Sequence, residues 1–391
     1  MLRRGEGLPF PRRLAHMTGS ILDYQAASVG FVVAFMLVLL LTPAVSLAAW
    51  RAGLLDRPTD ERRLHREPMP RLGGIAIFAA IVIPAAALGN QHGFWGVMLG
   101  AALMTMLGAV DDIRPLNPMV KLAGQVVIAA LTVHLGIAID HVTLPVVGVF
   151  DLDWLRYPVT IIWIVAIANI VNFIDGLDGL AAGFCGIAAL TFAILSASLG
   201  RLDAAAVSAI LAGAALGFLR YNFHPATIIM GDSGSLMMGY LLATIAIEGV
   251  LKTAAAVSLV FPLVILALPI LDTSFVILKR LKYRQPIYQA DRWHFHHRFS
   301  NIGFSQRRTA LTLYAWCAVL SAFALAIRFV PSHRHGWSWV SVVILGGLGI
   351  IALASSVYVV YTLEILKLRR LRALRAARRE PAEVTQSRPA A

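Results

Sequence analysis

The sequence predicts an all-α integral membrane protein that crosses the bilayer about eleven times. Hydrophobic residues make up 58% of the 391 residues and charged residues only 14%, whereas a soluble domain carries about 25% charged residues. The mean hydropathy is +0.74. Eleven crossings of about 20 residues each account for this apolar content, so the composition excludes a soluble globular protein.

Eleven apolar runs are bounded by charged residues or by proline and glycine. Most lack the strict alternation of barrel strands, and they are long enough for helices. The runs cover residues 27–49, 73–89, 94–110, 118–139, 156–171, 181–199, 203–220, 235–250, 255–278, 309–330 and 339–361. We therefore expect a membrane domain over 27–361, an N-terminal tail over 1–26 and a basic cytoplasmic tail over 362–391.

The distribution of Lys and Arg predicts the orientation, with the N-terminus outside and the C-terminus inside. If the loop after the first span is cytoplasmic, that side collects residues 51–72, residues 279–308 and the tail from Lys367. These segments hold six, eight and eight Lys/Arg residues. Loops assigned to the other side hold only Arg156, Arg201, Lys252 and Arg334. The net charge of +13 is explained by this loop bias, so we expect lipid rather than nucleic acid as its partner.

Four arginines near the N-terminus disagree with that orientation, because they would lie outside. They are Arg3, Arg4, Arg12 and Arg13. Either this short tail is translocated or translation starts at Met17. The sequence leaves both alternatives open, and the later loops agree with one another.

Carboxylates gather on the predicted cytoplasmic side. Asp111 and Asp112 end the third span, Asp175 and Asp178 follow the fifth, and Asp232 follows the seventh. The loop after the ninth span adds three histidines, His294, His296 and His297. Scattered loop acids would not sort by side so cleanly, so we expect one functional site on that face.

The first two acidic motifs also have plain structural interpretations. The pair in GAVDDIRPLNPMVK is also compatible with a solvated loop, and Lys121 is a counter-ion, a phosphate ligand or a snorkelling side chain. In NIVNFIDGLDGLAAG, Asn172, Asp175 and Asp178 recur at every third position. A helical continuation would place all three on one face. A plain turn is the structural alternative for this stretch.

The last two motifs raise the question of a metal. Asp232, in NFHPATIIMGDSGSLMMGY, is either a helix cap or a ligand of a hard cation. In company with the other acids it predicts Mg²⁺, with Mn²⁺ as a substitute, because oxygen ligands suit these cations. The loop YQADRWHFHHRF, which contains Arg292 and Arg298, predicts a cationic patch for phosphate; a zinc site or solvated histidines are the alternatives.

Asp272 lies inside the ninth span, where a functional role and a bond to another helix or to Arg280 are both open.

Several carboxylates, a divalent cation and a basic loop on one membrane face suit phosphoryl transfer, because cations neutralise charge on the transferred group. A secondary transporter is the alternative from another class. Transporters place their coupling residues near the bilayer midplane, often in two related halves. Here the acids lie at one surface, which favours the enzyme.

Five stretches in order, from about residue 50 to 310, resemble the polyprenyl-phosphate N-acetylhexosamine-1-phosphate transferases. These enzymes are relatives of the phospho-N-acetylmuramoyl-pentapeptide transferase of peptidoglycan synthesis. The stretches are DRPTDERRLHREPMPRLGG, DDIRPLNPMVK, NFIDGLDGLAAG, NFHPATIIMGDSGS and HFHH. The resemblance implies that a polyprenyl phosphate attacks the sugar-linked phosphate of a UDP-N-acetylhexosamine with Mg²⁺, giving polyprenyl-pyrophosphoryl-sugar and UMP. It also implies eleven spans with the N-terminus outside.

The resemblance also implies a role for each matching residue. Asp232 is similar to the main Mg²⁺ ligand, Asp112 to an acid that supports the metal and phosphate cluster, and Asp111 to the acid that accepts the lipid phosphate's proton or attacks. The remaining matches are the strip Asn172, Asp175 and Asp178 facing the nucleotide and diphosphate, the site lysine Lys121, and the phosphate-binding loop His294, His296, His297 and Arg298.

The His-Phe-His-His order is similar to the N-acetylglucosamine-1-phosphate branch of the family. We therefore expect UDP-N-acetylglucosamine as donor, in the initiating step of cell-envelope polysaccharide synthesis. UDP-muramoyl-pentapeptide or another acetamido sugar is the alternative donor. A homodimer is compatible with the sequence but is not indicated by any motif.

Overall fold

The computed structural model describes residues 10–56, 68–88, 94–144, 148–253, 258–282, 284, 295, 298–299, 302–330 and 338–377. Over these residues the chain forms twelve α-helices and two small antiparallel sheets of two strands each. The helices are α1 (Phe10–Arg51), α2 (Gly73–Leu88), α3 (Phe94–Ile113), α4 (Pro118–His134), α5 (Arg156–Ile174), α6 (Leu180–Ser198), α7 (Leu202–Asn222), α8 (Gly231–Ala246), α9 (Val260–Ile265), α10 (Ala267–Lys282), α11 (Gln306–Phe329) and α12 (Trp339–Ala377). The strands are β1 (Leu55–Asp56) with β2 (Met69–Pro70), and β3 (His141–Leu144) with β4 (Gly148–Asp151).

The predicted class, an all-α multi-pass membrane protein, is confirmed. Eight of the described helical segments are long and apolar enough to cross a membrane. They are Gln25–Arg51, Trp95–Ile113, Asp153–Ile174, Leu180–Ser198, Leu202–Asn222, Gly231–Leu251, Gln306–Phe329 and Trp339–Val359. Two shorter apolar helices, Gly73–Ala87 and Pro118–His134, accompany them. The count of eleven crossings and the orientation stay predictions.

The apolar run over 255–278, predicted as one span, contains two helices instead. Helix α9 ends at Ile265, and α10 begins at Ala267. Proline has no N–H and its ring clashes with the carbonyl four residues earlier, so Pro269 cannot continue a helix through Ile265. Within the first turn of α10, however, proline is tolerated because the N–H there would have no helical partner.

Helix α8 is the central element of the first part of the fold and is almost completely buried. Its first turn lies against α2 and α3 at two glycines. A Cβ on Gly74 would come 2.1 Å from the backbone nitrogen of Gly234, and a Cβ on Gly108 would come 2.3 Å from the carbonyl oxygen of Asp232. Only glycine permits these approaches, so the sequence brings the backbone of α3 directly against the start of α8.

The chain forms two compact units, Met1–Ile270 and Leu271–Ala391. In the second unit α11 packs on α12, and the indole N–H of Trp316 donates to the hydroxyl of Ser356 at 2.9 Å. Helix α12 continues past residue 361 to Ala377 without a break. The division into tails at 1–26 and 362–391 stays a prediction.

Candidate active site

Asp112, at the end of α3, holds the first turn of α8. Its Oδ1 accepts the backbone N–H of Asp232 at 2.9 Å, and its Oδ2 accepts that of Ser233 at 3.0 Å. The first N–H groups of a helix have no helical partner and carry partial positive charge, so a carboxylate there is stabilised. Gly231 has φ +73°, and a Cβ on it would lie 2.5 Å from Oδ2 of Asp112. Two motifs 120 residues apart are thereby joined.

Lys121 bridges two of the predicted site acids. Its ammonium pairs with Oδ2 of Asp111 at 3.2 Å and makes a closer contact with Oδ2 of Asp232. The other oxygen of Asp111 accepts the N–H of Leu116 at 2.6 Å. Helix α4 starts next to the acids, with Asn117 as its cap, so its first turn carries Lys121 to them. Of the interpretations open for Lys121, the counter-ion is the one that these contacts show.

Asn172, near the end of α5, completes the surroundings of Asp232. Its amide donates to Oδ1 of Asp232 at 3.0 Å and to the hydroxyl of Ser235 at 2.8 Å. One carboxylate oxygen of Asp232 therefore accepts a hydrogen bond from the amide of Asn172, and the other pairs with the ammonium of Lys121. We call Asp111, Asp112, Lys121, Asn172 and Asp232 the α8 cluster.

The acids after Asn172 do not continue a helical face. Helix α5 ends at Ile174, the N–H of Asp175 bonds the carbonyl of Asn172 at 3.2 Å in a turn, and Gly179 has φ +77°. The expectation that Asn172, Asp175 and Asp178 share one helical face is therefore wrong. Gly179, which follows Asp178, allows the chain to turn before α6, because glycine enters left-handed conformations at little cost.

Asp175 and Asp178 have different surroundings. Asp175 keeps part of its surface accessible, but its carboxyl is enclosed by protein; this burial, followed by the negative charges of Asp112 and Asp178, raises its pKa well above the usual value. Asp178 is buried, and its Oδ2 lies 2.8 Å from Nδ1 of His224 and accepts the N–H of Ala226 at 3.1 Å. Asp178 is thus tied to the segment before α8.

Sequence reasoning missed several residues that complete this region. His224 pairs with Asp178, and Asn222 accepts the N–H of Gly179 at 3.1 Å while donating to the carbonyl of Ile228 at 2.9 Å. Both residues stand in the motif NFHPATIIMGDSGS, where the polar letters before the proline were the available signal. One helical turn from Lys121 and Asn172, Gln125 of α4 and Asn169 of α5 exchange amide hydrogen bonds. That pair gave no signal in the sequence.

The predicted histidine loop lies mostly outside the described residues, since His294, His296 and His297 are not among them. Arg298 is described and belongs to the second unit. It is buried, with its guanidinium 4.5 Å from the ring centre of Phe275. A phosphate-binding role for this loop stays a prediction.

The donor atoms of the α8 cluster fit a hard divalent cation. Within the described ranges no group of three His, Cys, Asp or Glu side chains is arranged around a common metal position. Mg²⁺, however, is usually held by one or two carboxylates, water and substrate phosphates. The cluster offers carboxylate oxygens from three aspartates, and Lys121 already places a positive charge between Asp111 and Asp232. The residues therefore suit Mg²⁺ completed by a phosphorylated substrate.

Comparison with known proteins decides the family. The model described as glycosyl transferase family 4 matches residues 94–250, which contain the whole α8 cluster. A decaprenyl-phosphate N-acetylglucosaminephosphotransferase of Mycobacterium tuberculosis (strain ATCC 25618 / H37Rv) is 33% identical over 384 residues, covering 90% of this chain and 91% of its own. This chain belongs to glycosyl transferase family 4.

Two further members of family 4 show the range of relatives. A probable undecaprenyl-phosphate N-acetylglucosaminyl 1-phosphate transferase of Bacillus subtilis (strain 168) is 38% identical over 77% of this chain and 84% of its own. A phospho-N-acetylmuramoyl-pentapeptide-transferase of Desulforudis audaxviator is 32% identical over 75% of this chain and 96% of its own. The resemblance seen in the motifs is confirmed, and the chain is an enzyme, a phosphotransferase of family 4, rather than a transporter.

Proposed function

We propose that this enzyme transfers N-acetylglucosamine 1-phosphate from UDP-N-acetylglucosamine to a polyprenyl phosphate. The products are polyprenyl-pyrophosphoryl-N-acetylglucosamine and UMP, and the reaction starts the synthesis of a cell-envelope polysaccharide. The observation that carries the proposal is the convergence of Asp111, Lys121, Asn172 and Asp232 at the start of α8, in a chain whose relatives bear the names given above.

The α8 cluster has the charges that phosphoryl transfer requires. An oxygen of the polyprenyl phosphate attacks the sugar-linked phosphorus of the donor, and the bond to UMP breaks. Asp111 is positioned by the N–H of Leu116 and by Lys121, and in the proposal it accepts the proton of the attacking phosphate. Direct attack by Asp111 on the donor is the alternative, and trapping of a labelled enzyme intermediate separates the two.

The remaining residues of the site serve binding and charge balance in this proposal. Lys121 neutralises negative charge on the phosphates, and Asn172 orients Asp232 through its amide. In this proposal Asp175 and Asp178 belong to the side of the site that takes the nucleotide and diphosphate, with Asp178 in a buried position against His224 and Ala226. The histidine loop, His294, His296, His297 and Arg298, takes the donor's phosphates.

Mg²⁺, with Mn²⁺ as substitute, belongs to the proposal as the cofactor. Asp232, supported by Asp112, would hold it, and when bound it would neutralise charge on the donor diphosphate. Asp112 also has a structural duty, because both of its oxygens accept N–H groups of α8. Carboxylate oxygens have further lone pairs, so this duty is compatible with a metal nearby.

The proposed topology has eleven crossings, an outer N-terminus and the site at the cytoplasmic face of the cell membrane. The bias of Lys and Arg supports it, because residues 51–72, residues 279–308 and the C-terminal tail fall on one side. A homodimer stays a prediction.

A donor panel tests the proposed reaction. Detergent-solubilised enzyme receives one short polyprenyl phosphate, Mg²⁺ and, in turn, UDP-N-acetylglucosamine, UDP-N-acetylgalactosamine or UDP-N-acetylmuramoyl-pentapeptide, and UMP is measured. We expect UMP from the first donor, and only when both polyprenyl phosphate and Mg²⁺ are present. UMP from the pentapeptide donor alone would instead support the activity named for the Desulforudis relative.

A further inference from the structure

Asp272 is an acid inside an apolar helix, and the α8 cluster does not explain it. It lies in α10 of the second unit and is 1% exposed. A buried carboxylate is costly unless hydrogen bonds compensate for its lost hydration. Its Oδ1 accepts the backbone N–H of Phe295 at 2.7 Å, across 23 residues of sequence. Asp272 therefore bonds the backbone of a distant segment.

The side chain of Phe295 is held independently of that hydrogen bond. It is 3% exposed and lies between aromatic rings of two helices, 6.3 Å from Phe275 of α10 and 6.1 Å from Trp316 of α11 between ring centres. Aromatic pairs at such distances add to the free energy gained from burial. Phe295 is thus fixed through its backbone by Asp272 and through its ring by α10 and α11.

Phe295 is the phenylalanine of the His-Phe-His-His motif, with His294 and His296 as its neighbours in the chain. Consecutive Cα atoms are about 3.8 Å apart. The hydrogen bond to Asp272 therefore acts on the residue to which both histidines are covalently joined. An acid is well suited to the task, because a hydrogen bond to an ionised acceptor is about twice as strong as a neutral one.

We propose that Asp272 is a positioning residue for the histidine loop. It holds Phe295 on α10 so that the adjacent histidines are presented to the phosphates of the sugar nucleotide. The proposal rests on the proposed function for the phosphate-binding role of those histidines. The hydrogen bond from Phe295 to Asp272 and the burial of both residues do not depend on it.

Three variants of α10 test the proposal. Asp272→Leu removes the acceptor, Asp272→Asn keeps an oxygen acceptor without the charge, and Thr273→Val is the matched control. Thr273 is the next residue, is 6% exposed, and its buried hydroxyl makes no hydrogen bond within the described residues. Each variant is purified as full-length protein, and its thermal midpoint is compared with that of the parent.

The kinetic readout is the KM for each substrate. We expect Asp272→Leu to raise the KM for UDP-N-acetylglucosamine about tenfold or more, while the KM for polyprenyl phosphate is unchanged. Asp272→Asn should restore most of the donor affinity, and Thr273→Val should match the parent. A loss confined to thermal stability or to kcat, with both KM values unchanged, would overturn the proposal.

Hydrogen–deuterium exchange supplies a readout that does not need activity. We expect faster exchange in the peptide that contains Phe295 in Asp272→Leu, and parental exchange in Thr273→Val. If Asp272→Leu fails to fold, Asp272→Asn is the deciding variant. Its hydrogen bond to Phe295 should be weaker, so we expect its KM for UDP-N-acetylglucosamine to lie about two- to fivefold above the parental value. Parental donor KM and exchange in folded Asp272→Asn would then overturn the proposal. If the parent itself releases no UMP from any donor, the proposed function fails instead. The exchange result then still tests whether Asp272 holds the backbone of Phe295.

Discussion

Acids from neighbouring segments lie near both ends of helices α4 and α5, and the two ends differ in how these acids are used. At one end lies the α8 cluster, with Asp111, Asp112 and Asp232. At the other end, about 25 Å away along helices of this length, lie Asp140, Asp151 and Asp153 around the small sheet of β3 and β4. We call this second region the hairpin end.

Acids at the hairpin end are exposed and have few partners. Arg156 pairs with Asp140 at 3.4 Å, and their side chains are 44% and 48% exposed. In the α8 cluster Lys121 and Asp111 are 16% and 17% exposed, and each acid there accepts hydrogen bonds from other segments. Exposed ion pairs contribute little because water and salt screen them. Convergence and burial, rather than the number of acids, therefore mark the site.

Removing one charge from each end should give the largest contrast. Asp232→Asn should lower UMP release below detection, because the proposed metal ligand loses its charge while the hydrogen bond from Asn172 has an oxygen to accept it. Asp151→Asn, at the hairpin end, should retain parental turnover. Both variants are assayed for UMP release from UDP-N-acetylglucosamine. A yield in detergent extraction equal to that of the parent shows that each variant is folded. Full activity in Asp232→Asn would remove the distinction between the two ends.

The cations of the two ends provide the second contrast. Lys121→Met should lower kcat by about 10²–10³-fold, the loss typical of one electrostatic donor to a transferred group, because the charge between Asp111 and Asp232 is gone. Arg156→Met removes the corresponding cation of the hairpin end and should leave kcat at the parental value. Steady-state kinetics at saturating substrates decide this. Equal losses in the two variants would mean that Lys121 acts only through stability.

The smallest expected effect concerns stability and its dependence on pH. The raised pKa of Asp175 means that folding disfavours its ionised form, so its contribution to stability is present below the unfolded pKa of about 3.9 and is lost as pH rises through the folded value. With a chelator present, Asp175→Asn should therefore raise the thermal midpoint at pH 8 by a few degrees and lose that advantage near pH 4.5.

The exposed acid Asp153 supplies the control for that measurement. Asp153→Asn at the hairpin end should shift the thermal midpoint little at either pH, because its side chain is solvated. A shift from Asp175→Asn that is the same at pH 8 and pH 4.5 would contradict a pKa raised by burial and neighbouring charge.

The sequence indicated which residues belong to the site better than it indicated their contacts. Asp111, Lys121, Asn172 and Asp232 stand in motifs that stop at the ends of apolar runs, and the structure joins them by direct hydrogen bonds. The partner of Asp178 was missed, because His224 precedes a proline in a motif selected for its later GDSGS residues. The turn at Asp175 was only the alternative to a helical continuation, because a three-residue spacing is compatible with a helix until the backbone conformation is known.

Hydropathy alone predicted the all-α membrane class, and eight of the described helical segments are long and apolar enough to cross a membrane. Hydropathy is a local sum, and a segment in lipid must satisfy its own backbone hydrogen bonds, so no knowledge of neighbours was needed. Three contacts could not be predicted from hydropathy and appear only in the folded chain: Asp112 holds the first turn of α8, Lys121 bridges two acids, and Asp272 bonds Phe295. These contacts join residues from 10 to 121 positions apart, and the close packing of helices at glycines such as Gly108, rather than any local preference, brings the α8 cluster together.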